Sequence, residues 1–222
     1  MTSQQPLAEV PQQTIFVVDD DQRARESVCA LVTSMGLAAR AYPSAEAFLQ
    51  DYNIDLPGCL VTDVRMLGMS GLELQARLEE MGAMLPVIIL TAYATTPVTV
   101  EAIQRGAITM LDKPYVEDDL WNAIRRALST DASERVAETR RREIRHRIDE
   151  LTPSERAVLS FVVQGKPNKV IANRLDVSVR TVENRRSEIY NKLQAGSVVE
   201  LVRMVIEANV EELDLHHESQ LT

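Results

Sequence analysis

Cysteine is scarce in this chain: Cys29 and Cys59 are the only two, and each lies inside an apolar segment. That pattern reads as a pair of reduced core thiols and not as a disulfide framework. Long apolar runs are lacking too. A membrane-spanning helix needs about 18 continuous apolar residues, and the longest candidate here, Val87 to Leu90, has the length of a strand. The first ten residues carry neither a basic n-region nor an apolar h-region, so no secretory signal is visible. With no exported scaffold and no membrane insertion in view, the cytoplasm is the expected compartment.

What is present suits a globular protein. Apolar residues make up 45% of the chain, ample for a buried core. Its 222 residues leave room for one large domain or two small ones. The net charge of −9 speaks against a nucleic-acid partner only until it is divided along the chain. Residues 1–130 hold 9 Lys/Arg against 17 Asp/Glu, whereas residues 152–208 hold 9 against 6. An acidic front and a basic back are expected when only one half meets a polyanion.

Behind a polar leader over residues 1–12, short apolar runs alternate strictly with helical patterns. The strands are Ile15 to Val18, Leu37 to Tyr42, Cys59 to Thr62, Val87 to Leu90 and Ala107 to Leu111. The helices run from Gln22 to Met35, from Ser44 onward, from Gly71 to Met81, from Thr99 to Arg105 and from Glu117 to Leu128. This order predicts an α/β domain over 13–129: a doubly wound, five-stranded parallel sheet of flavodoxin-like type. In such folds the chemistry sits beyond the carboxyl ends of the strands.

Residues 130–150 break the alternation and predict a helical linker. Over 129–150, six basic residues balance six acidic ones, as in a solvated connecting helix. The alternative is that Ile144, Ile148 and Leu151 form a partner-facing stripe in a dimer. From 151 to 208 the pattern is all-α, with four helices. Thr152 and Glu155 read as a capping box with Pro153 in the first helical position. Asn168 opens a short helix, Asp176 and Val177 turn, and Ser178 caps a third helix through Leu193. Ser197 and Glu200 read as a second capping box, and residues 209–222 form an acidic tail.

The strand ends collect an unusual set of side chains. Asp19, Asp20 and Asp21 follow the first strand, Asp63 the third, Thr91 the fourth and Lys113 the fifth. Carboxylates offer hard oxygen ligands to Mg²⁺, and a carboxylate can act as nucleophile towards a phosphoryl group whose charge cations neutralise. At IFVVDDD (15–21), LVTDVRM (60–66), VIILTAY (87–93) and LDKP (111–114) the chain resembles the receiver domain of two-component response regulators. The resemblance implies that Asp63 accepts a phosphoryl group from a sensor histidine kinase. It also implies that Asp19, Asp20, Asp63 and the carbonyl of Arg65 hold Mg²⁺, that Thr91 and Lys113 contact the phosphoryl oxygens, and that the Lys113–Pro114 bond is cis. A haloacid-dehalogenase-type hydrolase would need a second Asp two residues after Asp63. Arg65 stands there, so the site reads as one that holds a phosphoryl group without enzymatic turnover.

Three positions depart from the family pattern. Leu67 replaces a usual Pro, which should alter only loop stiffness, and Tyr93 to Thr96 replace a glycine-bearing loop. Met110 stands where an aromatic switch residue is common. It either fills a core gap or serves, with Thr91, as a ringless switch whose two states lie closer in energy.

On a helical wheel, Val182, Ile189 and Leu193 of the third C-terminal helix share one face, with Arg180, Asn184, Ser187 and Asn191 opposite. A polar, hydrogen-bonding helix after a short helix and a tight turn suits a major groove. The segments LTPSERAVL, GKPNKVIANRLDVSVRTVENRRSEIYNKL and ELV resemble the LuxR-type helix-turn-helix domain. With a receiver, they make the chain look like the FixJ/NarL subfamily. The implied DNA-binding set is Lys169, Arg180, Thr181, Glu183, Asn184, Arg185, Arg186, Ser187 and Lys192. Glu183, Asn184 and Ser187 would read bases of promoter DNA, while Lys169, Arg185, Arg186 and Lys192 are candidate phosphate partners, with the contact at Arg185 altered because it replaces a His common in the family. The helix from Val198 to Ile206 would support a homodimer on activation.

Overall fold

The computed structural model describes residues 13–92 and 95–208. The leader over 1–12, the tail over 209–222 and Tyr93–Ala94 lie outside the described residues. The chain divides into two compact units, one through Arg135 and one from Val136.

The first unit alternates β1 (Thr14–Val18), α1 (Gln22–Ser34), β2 (Ala38–Tyr42), α2 (Ala45–Asp51), β3 (Gly58–Asp63), α3 (Gly71–Glu80), β4 (Val87–Thr91), α4 (Thr96–Gln104), β5 (Thr109–Asp112) and the first part of α5 (Glu117–Asp149). The five strands form one sheet in the order β2-β1-β3-β4-β5, and every neighbouring pair is parallel. Successive strand residues point to opposite faces, and helices cover both, which is why β1, β3 and β4 are buried along their whole length and largely apolar. Ile15 and Val17 meet Val28 and Val32 of α1 and Leu120 and Ile124 of α5 on one face. Phe16 and Val18 meet Phe48 of α2 and Leu74 and Leu78 of α3 on the other. The sheet order reverses between β1 and β3, which opens a crevice beyond their carboxyl ends.

Helix α5 is longer than the sequence pattern suggested, running unbroken for 33 residues. Nothing between Glu117 and Asp149 stops it, because the stretch contains neither Gly nor Pro. Its last turns belong to the second unit. Ile144, Ile148 and Leu151 are buried there against Val158, Leu159, Val182, Leu193 and Leu201. They form neither a solvated linker face nor a stripe awaiting a partner. Each such side chain gains about 1.5–3 kcal/mol by burial, so the nearest apolar core claims them.

The second unit adds α6 (Pro153–Val163), α7 (Asn168–Arg174), α8 (Val179–Leu193) and α9 (Val198–Glu207). Thr152 and Glu155 make the reciprocal capping box at the start of α6. At α9 only half of the expected box forms. Ser197 accepts from the Glu200 amide, but the Glu200 carboxylate reaches past it to the amide of Gly196. No helix among the described residues is long and apolar enough to cross a membrane.

Candidate functional site

The strand register places the acidic residues together. Val18 pairs with Thr62, so Asp19 and Asp63 leave β1 and β3 side by side. Thr91 pairs with Asp112, which sets Lys113 just beyond the end of β4. The Lys113 Nζ donates to Asp19 Oδ2 at 2.6 Å and to Asp63 Oδ1 at 2.8 Å. Both carboxylates are buried, Asp19 at 5% exposure and Asp63 at 8%. Burial opposes the charge on Lys113, but its bonds to Asp19 and Asp63 outweigh that and hold its pKa above the ordinary lysine value. The Lys113–Pro114 bond is cis, and the Lys113 amide donates to the Thr91 carbonyl at 2.7 Å.

Each carboxylate has a second partner. Asp63 Oδ2 accepts from the Arg65 amide at 2.7 Å, and Asp19 Oδ1 from the Asp21 amide at 2.9 Å. Helix α3 packs close behind the site, where a Cβ on Gly71 would lie 2.1 Å from the Asp63 carbonyl oxygen. Asp21 is the N-cap of α1, accepting from the amides of Arg23 and Ala24, which hold its carboxyl below the usual carboxylate value. Asp20 is exposed and points elsewhere: its Oδ2 accepts from the Leu67 amide at 3.0 Å. Thr91 ends β4 at 1% exposure. Met110 is half-buried, and its Sδ accepts from the Thr99 hydroxyl of α4 at 3.4 Å.

These groups fit a divalent cation in donor chemistry, since Asp19, Asp20 and Asp63 all offer hard oxygens near the strand ends. Among the described residues, however, no three or more His, Cys, Asp or Glu side chains stand together as a metal site. Asp19 and Asp63 are joined through Lys113, while Asp20 is engaged by the loop before α3.

In the second unit, α7 and α8 are joined by a tight turn at Asp176, which adopts φ 50°, and Ser178 caps α8. Val182, Ile189 and Leu193 are buried, leaving Arg180, Glu183, Asn184 and Ser187 exposed, with Lys169 exposed on α7. Thr181 lies in the first turn, where its amide donates to the Ser178 hydroxyl. Arg185 is half-buried. Two expected phosphate partners are otherwise employed. Arg186 donates to Asn168 Oδ1 at 2.7 Å, tying α8 to α7. Lys192 donates to Glu155 Oε2 at 2.7 Å, and Glu155 is itself 7% exposed.

A receiver and a helix-turn-helix unit on one chain have clear relatives. The family described as "Response regulator receiver domain" matches residues 15–125, and "Bacterial regulatory proteins, luxR family" matches residues 149–205. The transcriptional regulatory protein FixJ of Azorhizobium caulinodans is 43% identical, covering 90% of this chain and 95% of FixJ. The chain is a response regulator. The response regulator protein TodT of Pseudomonas putida is 38% identical over 86% of the chain and 84% of TodT. A low-resolution structure of the response regulator StyR is 37% identical and superposes with a TM-score of 0.75, covering 88% of this chain and 99% of that one.

Sequence reasoning on this regulator missed what holds the loop before α3. The Leu67 amide binds Asp20, and Glu46 of α2 accepts from the Met69 amide at 2.9 Å. Leu67 in place of Pro therefore changes more than loop stiffness, because it supplies an N–H. Side-chain patterns carry no signal for either contact, since both donors are backbone groups.

Proposed function

We propose that Asp63 of this regulator accepts a phosphoryl group from the phosphohistidine of a sensor histidine kinase in the cytoplasm, and that the modified protein acts on promoter DNA as a homodimer. The observation that carries this reading is the Lys113 ammonium held between the two buried carboxylates of Asp19 and Asp63. An Asp63 oxygen forms a bond to phosphorus as the phosphorus–nitrogen bond to the donor imidazole breaks. Lys113 and the Thr91 hydroxyl then hold phosphoryl oxygens. Asp19, Asp20, Asp63 and the Arg65 carbonyl would hold Mg²⁺, which supplies charge neutralisation when bound. Arg65 two residues after Asp63 is no general acid, so the group is kept long enough to act as a signal. Incubation with a small phosphodonor and Mg²⁺ should add one phosphoryl group by intact mass and raise affinity for promoter DNA.

Helix α8 would enter the major groove with Asn184 and Ser187 at base edges and Glu183 beside them. Lys169, Arg180 and Arg185, with Thr181 at the helix start, would meet phosphates. Arg186 and Lys192 position the helices that carry these groups. Asn184→Ala should cost roughly 1–3 kcal/mol at a single base position and leave the salt dependence of binding unchanged. Lys169→Ala should weaken all sequences alike and lower the salt slope by about one. Affinities across single-base operator variants at several salt concentrations separate the two, and indistinguishable profiles would overturn this division. Val199 and Ile206 of α9 are 74% and 72% exposed, two turns apart on one side of the helix, and offer an apolar surface for the homodimer.

Met110 meets Thr99 of α4 through a flexible side chain, and in this reading it would carry a change at the strand ends to α4. A ringless switch separates its two states by less energy. Unphosphorylated protein should therefore show dimer and DNA affinity that phosphorylation raises only modestly, and Met110→Tyr should widen the contrast. Sedimentation with and without a phosphoryl mimic reads this directly; a strictly monomeric unmodified protein would argue the other way.

A further inference from the structure

The loop between β3 and α3 is held by three carboxylates from outside its turn. Glu73 accepts from the Ser70 amide at 2.8 Å, Glu46 from the Met69 amide at 2.9 Å, and Asp20 from the Leu67 amide at 3.0 Å. Only the last of these belongs to the proposed cation ligands. Leu67 is 81% exposed, so no packing of its side chain explains where its amide points. The bond exists because residue 67 has an N–H to give, which a proline there would lack. With Asp20 so engaged, no trio of carboxylates stands assembled among the described residues.

We infer that the Leu67 amide is a latch that competes with a divalent cation for the Asp20 carboxylate. The inference rests on the reading of Asp19, Asp20 and Asp63 as cation ligands and adds a chain-specific control to it. Cation entry draws Asp20 towards Asp19 and Asp63, breaks the Leu67 bond and frees the rim of the site at residue 67. The loop stays anchored further along by Glu46 and Glu73, so the change is confined to the rim. A hydrogen bond from a neutral donor to a carboxylate at an exposed position shifts an affinity by about threefold to tenfold when it must be given up. Leu67 is thereby a positioning residue for the metal ligand, acting through its backbone and not through its side chain.

The test is an NMR titration of the ¹⁵N-labelled full chain with Mg²⁺, following the amides of Val64, Arg65 and Leu67. Leu67→Pro removes the donor, whereas Leu67→Ala keeps it and removes only the exposed side chain. Leu67→Pro should bind Mg²⁺ about threefold to tenfold more tightly, with Leu67→Ala within twofold of the unaltered protein. In the unaltered protein the Leu67 amide resonance should move upfield along the same saturation curve as Arg65, a readout that does not depend on how Leu67→Pro folds. A Leu67 resonance that stays still, or a Leu67→Pro protein that binds no more tightly than Leu67→Ala, overturns the latch while leaving the cation site intact. If the unaltered protein shows no saturable Mg²⁺ binding, or Asp20→Asn leaves the affinity unchanged, the cation reading itself fails and the latch falls with it.

Discussion

Asp63→Asn is expected to abolish phosphoryl incorporation from a small phosphodonor, with no adduct visible by intact mass. The amide oxygen of Asn can keep one of the two bonds that hold Asp63 in place, from Lys113 or from the Arg65 amide, and the side chain keeps its size, so the fold at the end of β3 should survive. What is lost is the nucleophile, because an amide oxygen carries no negative charge to attack phosphorus. The neighbouring acidic residues provide the control. Asp21 faces the first turn of α1, and Asn caps a helix about as well as Asp. Asp21→Asn should therefore label normally. Full labelling of Asp63→Asn would move the acceptor elsewhere, and loss of labelling in both proteins would point to general damage at the strand ends.

The juxtaposition of Asp19, Asp63 and Lys113 was legible in the sequence because it follows from counting. Parallel strands buried on both faces read as apolar runs, and the residue after each run falls on the same edge of the sheet. The register bears this out for β1, β3 and β5, although β5 begins two residues later than its apolar pattern suggested. Periodicity was weaker where it had to say what covers an apolar face. Ile144 and Ile148 showed their spacing plainly, but only the three-dimensional structure shows that their own domain receives them. Charge was weaker still. Arg186 and Lys192 looked like cations available to DNA, and their partners Asn168 and Glu155 lie 18 and 37 residues away. A pattern that describes local spacing has no access to such pairings. The same limit hid Asp131, which composition placed among the balanced charges of a solvated helix.

Asp131→Ala is expected to destabilise the receiver domain by about 3–5 kcal/mol, the cost typical of breaking one side of a buried ion pair. Asp131 is completely buried, a rare position for a carboxylate, and both of its oxygens are used. Oδ1 accepts from Arg135 Nε at 2.7 Å, one turn along α5, and Oδ2 from the Gly58 amide at 3.0 Å. Arg135 in turn donates to the carbonyls of Asp55 at 3.1 Å and Leu56 at 2.7 Å, so the pair fastens the last receiver turns of α5 to the start of β3. Gly58 cannot turn its amide elsewhere. Its φ is +155°, and a Cβ there would lie 1.8 Å from the Thr14 carbonyl oxygen, so β1 and β3 approach only as glycine allows. Removing the Asp131 side chain leaves the buried Gly58 N–H without its acceptor and takes the carboxylate from the Arg135 Nε. Asp131→Asn keeps an acceptor for Gly58 and should lose less, whereas Arg135→Ala leaves the carboxylate charge buried and should lose nearly as much as Asp131→Ala. Trp121 is the only tryptophan and packs on α5 against the receiver core, so its fluorescence during urea unfolding of the full chain follows this domain. A loss below about 1 kcal/mol for Asp131→Ala would mean that water or a relaxed Arg135 satisfies the Gly58 amide instead.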